Sequence, residues 1–189
     1  MEPTNRAGGG LGGIPGSRLI PKERGGAVFR ELLAAATASA VHLETRDSYQ
    51  PSDPSFLAWK AGQPVEGKQA WRDLILATRA RGVVVRRARV VSEPVTDYVR
   101  YEHGLTASHN VAAGELVRWL PRRWTSDLCL PGNDFWLLDS KTVMFNHFTG
   151  DGESAGREVT DDPAVAKMCS AAFEAVWVRA IDHSQYRLD

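Results

Sequence analysis

The residues of this chain with the chemistry to attack, shuttle protons or hold metals are five histidines, two cysteines and scattered carboxylates. The histidines occur as His42-Leu43-Glu44, His103-Gly104-Leu105, His109-Asn110-Val111, His147-Phe148-Thr149 and His183-Ser184-Gln185. An imidazole serves as a phosphoryl-transfer nucleophile when a nearby cation stabilises the charge it creates. None of the five has a lysine two positions on. His103 and His109 stand six residues apart, which fits neither the i,i+4 pair of a helical zinc site nor zinc-finger spacing. There is no Gly-x-Ser-x-Gly, and Cys129 and Cys169 make no Cys-x-x-Cys pair. Metal binding and acyl transfer are therefore disfavoured, and no cofactor is expected. Two distant cysteines favour free thiols in a reducing compartment.

Binding is better represented than catalysis. The stretch Glu-Thr-Arg-Asp-Ser-Tyr at 44–49 is the most polar cluster beside an expected strand. Glu44, Arg46, Asp47 and Tyr49 would line a pocket at the strand end, where α/β folds tend to take ligands. The same residues also make a solvated turn with an internal Arg–Asp pair, and both readings stand. Arg118, Asp139 and His147 complete the candidate ligand- or partner-binding set. Residues 79–123 hold nine arginines against Glu93, Asp97, Glu102 and Glu115, while the rest of the chain is net acidic by the same difference. Such arginines contact nucleic-acid phosphates or, more commonly, pair with neighbours on a sheet; nucleic acid is thus an unfavoured partner that stays open. Most of the six tryptophans should be core, with Trp59 and Trp124 as possible partner anchors.

These side chains need a scaffold, and length and composition bound it. A chain of 189 residues, 43% apolar and 24% charged, suits a single globular domain. Lys plus Arg equals Asp plus Glu at 23 each, so no global charge draws the chain to nucleic acid or membrane. No apolar run approaches the roughly 18 residues of a membrane span, and the first residues lack a signal-peptide core; a cytoplasmic protein without membrane contacts is expected. Residues 1–26 carry eight glycines and predict a disordered tail. A nucleotide-cradling reading of Gly-Gly-Gly-Leu-Gly-Gly fails its context, since no strand precedes it and no Gly-Lys-Ser/Thr follows.

Residues 27–189 are expected to form one α/β domain. Phe29, Leu32, Leu33, Ala36 and Ala40 recur at helical spacing, and residues 41–49 alternate as a strand running into a loop. Asp53-Pro54 starts a short helix, and Trp71, Leu74, Ile75 and Thr78 share a face of the next. The β-branched run 83–91 reads as a buried strand. Ser92 and Pro94 then suit the start of another helix. Residues 115–122 form a further strand, and Phe-Trp-Leu-Leu-Asp and Thr-Val-Met-Phe-Asn flank a hairpin turn at Ser140-Lys141. Asp161-Asp162-Pro163 opens a last helix whose stripe is Val165, Cys169, Ala172, Phe173, Val176, Trp177 and Ala180. Helix-to-strand passages near 82 and 114 suit parallel crossovers. The expected fold is α/β, with a mixed, largely parallel sheet flanked by helices.

Two resemblances follow. From about residue 28 onward, "HLETRDSY", "RARVVSEPVTDYVRYEH", "ELVRWLPR", "NDFWLLD" and "VTDDPAVAKMCSAAFEAVW" resemble a small actinobacterial family of unknown function. The setting it implies is regulatory, beside helix-turn-helix regulators. Over residues 80–180, "RGVVVRRARVV", "GELVRWLPR", "FWLLDSKTVMF" and "DDPAVAKMCSAAFEAVW" resemble, in order, one half of a phospholipase D-like domain. In that superfamily the third strand carries His-x-Lys and a later Asp; Asp139 falls where that Asp is expected, and the His-x-Lys pair is missing. The resemblance therefore implies a half-domain topology of this type without its chemistry. The expected function is a non-catalytic sensor or partner module of a bacterial transcription-regulatory system, with a helix-turn-helix regulator or a second copy as partner. The alternatives are a phosphodiesterase or nuclease with a site rearranged around Asp139, His147 and the arginines, and a DNA-contacting regulatory protein.

Overall fold

A computed structural model describes residues 13–65 and 69–188. In chain order these form β1 (Arg18–Ile20), α1 (Lys22–Ala35), β2 (Ser39–Glu44), α2 (Pro54–Lys60), α3 (Gln69–Ala80), β3 (Val84–Val91), α4 (Asp97–His109), β4 (Leu116–Pro121), β5 (Asp134–Leu138), β6 (Thr142–Phe148), β7 (Ser154–Thr160), α5 (Pro163–Arg179) and β8 (Ile181–Asp182). Among the described residues the strands make one sheet, ordered β1-β7-β6-β5-β2-β3-β4-β8.

The expectation of a largely parallel sheet is wrong. Only β2 with β3 and β3 with β4 run parallel; the other five pairings are antiparallel. Connection length explains the split. The two parallel pairs are joined through α2–α3 and through α4, whereas β5, β6 and β7 follow one another through short turns that reverse the chain. At the β5–β6 turn Asp139 and Ser140 have φ of 50° and 56°, the left-handed geometry of a tight hairpin.

Two further expectations need correction. Residues 1–12 of the expected tail lie outside the described residues, but 13–26 do not form a tail. Arg18–Ile20 pairs with Arg157–Val159 as an edge strand, and α1 starts at Lys22. The Ile14 backbone N–H and the Ser17 hydroxyl both donate to Glu158 Oε1, at 2.8 and 2.5 Å. Of the glycines that read as disorder locally, Gly13 and Gly25 lie against Glu158 and Arg157 of β7. The second correction is the start of α4. Its cap is Thr96, which accepts from the Val99 N–H at 3.2 Å. Ser92 instead donates its N–H and its hydroxyl to the Asp47 carboxylate, each at 2.7 Å.

The caps of α2 and α5 follow directly from their sequences. Asp53 accepts from the Ser55 and Phe56 N–H groups, and Asp162 from those of Ala164 and Val165, each with Pro at the first helical position. Helix α5 covers one sheet face. Its Ala166, Cys169, Phe173 and Val176 pack on Val41, Leu43, Ala88, Val90, Phe135 and Leu137. The opposite face meets α1 and α3, where Phe29, Leu33 and Ile75 pack on Ala40, Val85, Trp136 and Leu138. That second core covers only part of its face, and the uncovered part holds the site.

Candidate functional site

Strand register places the polar residues. Side chains directly opposite each other on neighbouring strands share a face. Arg157 pairs with Asn146, Asn146 with Asp134, and Glu44 with Arg89. Leu43 pairs with Phe135, so Glu44 and Asp134 are the next positions on their strands. Arg157, Asn146, Asp134, Glu44 and Arg89 thus form one row across five strands. Two residues away along each strand runs a second row: Met144, Trp136, His42 and Arg87. Both rows face away from α5. Except for Met144, which is buried in the core, they floor a cavity of about 320 Å³ that α4 overhangs with Tyr98, Tyr101 and Glu102.

The floor is charged and nearly closed to water: Glu44, Arg87 and Arg89 are 7, 6 and 5% exposed. Such groups are tolerated in an interior when each charge meets an opposite one. Arg87 donates Nε to Glu115 Oε1 at 2.7 Å and Nη1 to Glu44. Arg89 donates Nε to Glu44 Oε2 at 2.5 Å, Nη1 to the Thr106 hydroxyl at 2.8 Å and Nη2 to Glu102 Oε1 at 3.3 Å. Asn110 closes the network by donating to Glu115 Oε2 at 2.6 Å. Asp134 accepts from the Thr45 N–H and hydroxyl at 2.9 and 2.7 Å, and from the Tyr49 hydroxyl.

These surroundings separate the carboxyls. Burial pushes Glu44 upward, but the Arg87 and Arg89 guanidiniums overrule it and hold the carboxyl far below its usual range. Burial pushes Glu102 up to about 7 against the pull of Arg89, and raises Asp134 against its hydrogen bonds from Tyr49 and Thr45. His42 is driven down by burial, so it is neutral at pH 7. It stacks on Trp136, ring centroids 4.2 Å apart. Its Nδ1 lies 3.4 Å from Glu44 Oε1 without an aligned hydrogen bond. Trp71 also lines the cavity, and its indole N–H has no partner. Phe29, Trp71 and Trp136 build one aromatic wall, with Phe29 at 6.0 Å from Trp71 and 4.8 Å from Trp136. Tyr49, Phe148 and Tyr98 make a second aromatic group in the lining, with Tyr49 at 5.2 Å from Phe148 and 5.7 Å from Tyr98.

The residues singled out from sequence scatter. Glu44 and Tyr49 stand in the cavity. Arg46 lies over the Phe148 ring at 5.2 Å, on the cavity's flank. Asp47 is a clamp, taking Ser92 and, at 3.2 Å, Arg122 Nη2. Asp139 sits at the far end of β5 from Asp134 and ties down the entry to β2, accepting from the Thr37, Ala38 and Ser39 N–H groups at 2.8–2.9 Å. His147 belongs to the opposite face, near the end of β6, 3.3 Å from Glu158 Oε2. Arg118 stacks over Trp177 at 4.4 Å and donates to its carbonyl at 2.9 Å. A rearranged site joining Asp139, His147 and Arg118 is therefore not assembled: Asp139 and His147 lie at opposite ends of the β5–β6 pair, and β5, β2 and β3 stand between the strands of His147 and Arg118.

The arginine-rich segment is likewise committed internally. Beyond Arg87 and Arg89, Arg86 pairs with Glu174 at 2.6 Å over the Phe173 ring, Arg122 reaches the Thr45 carbonyl at 2.6 Å, and Arg123 pairs with Glu93. Sequence reasoning missed Asp134, Asn146 and Arg157, which only register brings together. The alternation in Arg86-Arg87-Ala88-Arg89 was the available signal for the buried pair. Among the described residues no three His, Cys, Asp or Glu side chains converge as metal ligands, and no helix is long and apolar enough to cross a membrane.

Comparison with known proteins gives a family and a fold. Residues 27–188 match the model described as Domain of unknown function (DUF6879). No curated protein sequence matches the chain. Among solved structures, Nuc from Salmonella typhimurium, a phospholipase D family member, is 13% identical with a TM-score of 0.54, over 90% of this chain and 97% of that one. NucT from Helicobacter pylori is 10% identical with a TM-score of 0.52, over 88% and 98%. TrmBL2, an archaeal chromatin protein whose structure shows a novel mode of DNA binding, is 13% identical with a TM-score of 0.51 over 87% of this chain. This chain spans about half of that protein, 53%. At such identities the likeness is one of fold, which is phospholipase D-like.

Proposed function

The chain belongs to the DUF6879 family of unknown function, and from the geometry above we propose that it is a non-catalytic ligand-sensing module of a bacterial transcription-regulatory system. One observation carries the reading. In the phospholipase D-like superfamily the third strand of the half-domain brings His-x-Lys to the site; here that strand is β5, and it brings Asp134 and Trp136 to the cavity instead. That strand thus brings an acid and an indole to the cavity and no His-x-Lys pair. The cavity's Arg87 and Arg89 are occupied by Glu44, Glu115 and Glu102 rather than left facing a phosphate position. A cavity of about 320 Å³ with aromatic walls and a few convergent polar groups has the character of a small-molecule site.

The fold recurs in a DNA-binding chromatin protein of which this chain spans about half, which supports a sensor that acts through a partner such as a helix-turn-helix regulator, or through a second copy. Because the arginines of residues 79–123 named above are spent on internal partners, direct DNA contact by that segment is the weaker alternative.

The test is turnover. Purified protein is assayed on a chromogenic phosphodiester and on single-stranded DNA, with and without divalent metal, beside His42→Ala and His147→Ala. All three preparations should give the same background. Wild-type hydrolysis that disappears in either variant would make the protein a phosphodiesterase and end the sensor reading.

A further inference from the structure

The cavity's unmatched groups indicate what it takes. Arg87 and Arg89 each lie between two carboxylates. Arg157 has none among the described residues. Its Nη1 donates to the Gly25 carbonyl and lies 3.9 Å from the Met144 sulfur, and its guanidinium stacks over Phe29 at 5.7 Å. Burial and the neighbouring Arg30 both weigh against its charge, with no anion to offset them. Phe29 in turn stacks on Trp71, whose indole N–H is buried without an acceptor. An unmatched cation and an unmatched N–H donor therefore flank the same ring on one wall.

The carboxylates in the cavity are already supplied. Glu44 takes Arg87 and Arg89, Asp134 takes Thr45 and Tyr49, and Glu102 takes Arg89 and Tyr98. A cationic ligand finds no vacant acid, and a dianion such as a phosphate monoester would face repulsion from three carboxyls in the same small space. A single negative charge answers the one unpaired arginine. Two aromatic groups in the lining favour a flat apolar body attached to that charge. At about 30 Å³ of liquid volume per water, a cavity of this size holds roughly ten waters' worth of ligand, one or two rings.

We propose that the cavity binds a small aromatic carboxylate, with its carboxylate on Arg157 and its ring among the Trp136 and Tyr49 side chains. The proposal rests on the sensor reading above and gives it a ligand class.

The test is calorimetric titration of the full chain with benzoate and indole-3-carboxylate, with the uncharged amides of both, and with inorganic phosphate. The carboxylates should bind at least tenfold more tightly than their amides, and phosphate should not compete. Arg157→Gln should weaken carboxylate binding about tenfold or more while leaving amide binding unchanged. Arg157→Lys keeps a cation at the position and should restore part of the lost affinity, with an unchanged circular dichroism spectrum, and so guards against misfolding of the glutamine variant. Equal affinity for acids and amides, full affinity in both variants, or no carboxylate binding at millimolar concentration would overturn the ligand class. The sensor reading would survive any of these if another small molecule saturates the cavity, whereas phosphodiester turnover would remove the reading itself.

Discussion

The two faces of the central strands are built from alternate residues of the same short segments, and they obey opposite rules. Under α5, Val41, Leu43, Ala88, Val90, Phe135 and Leu137 make a dry contact. One residue along each strand, the other face presents His42, Glu44, Arg87, Arg89, Asp134 and Trp136. A side-chain period of two lets one backbone carry a stabilising face and a binding face at once. The first face gains from removing apolar area from water; the second is stable only while every buried charge keeps its partner.

Breaking either face should cost a similar amount for different reasons. Phe173→Ala should lose about 3–5 kcal/mol through the cavity it leaves, a large share of a domain's roughly 5–15 kcal/mol. Glu44→Leu should lose about 3–5 kcal/mol by stranding Arg87 and Arg89. Acid separates the two in denaturant titrations. The Glu44 carboxyl is held below its ordinary value of 4.5 in the folded state, so its contribution is present above that pH and is lost as pH falls through the folded value. The deficit of Glu44→Leu should therefore shrink in acid, while that of Phe173→Ala should not. Equal pH behaviour would mean the buried network contributes nothing specific.

A smaller effect tests the edge of the sheet. Gly156 has φ of 123°, and a Cβ there would lie 2.9 Å from the Ile20 carbonyl oxygen. Gly156→Ala should cost roughly 1–3 kcal/mol and loosen β1, seen as faster amide exchange at residues 18–20, with ligand binding little changed. Asp139→Ala removes the anchor of the β5–β6 turn and should cost about 1 kcal/mol without affecting the cavity at the other end of the strand. A large loss of binding in Asp139→Ala would show that the two ends of β5 are coupled.

The last effect belongs to Glu102 and is read as a slope against pH. Its carboxyl is raised from 4.5 to about 7 by burial, so the folded state binds more protons than the unfolded one between those values. Stability should therefore fall as pH rises from about 4.5 to about 7. Glu102→Gln should flatten that slope in melting curves recorded across the window. An unchanged slope would place the titration elsewhere.

How far the sequence could reveal this architecture depended on whether the signal was local. The stripe on α5 and the caps at Asp53 and Asp162 are local, and they are where the sequence places them. Strand β7 is illegible because its Ser154, Gly156, Arg157 and Glu158 show no apolar alternation; they are held by pairing with β6 and β1. The same limit applies to the cavity. Glu44 and Tyr49 stood out as a polar cluster at a strand end. Arg87 and Arg89 differ from Arg86 only by parity. Asp134, Asn146 and Arg157 meet Glu44 through register across strands distant in sequence, and no nearby pattern records that register.

The most direct test of the central claim uses the cavity's own tryptophans. Trp71 and Trp136 both line it, so intrinsic fluorescence can follow a titration of the wild type with a library of small aromatic acids, with each sample then analysed by mass spectrometry. The account predicts a saturable fluorescence change that is lost in Arg157→Gln, with the bound molecule recovered intact. A ligand that is recovered chemically altered, with the alteration abolished by His42→Ala, would contradict it.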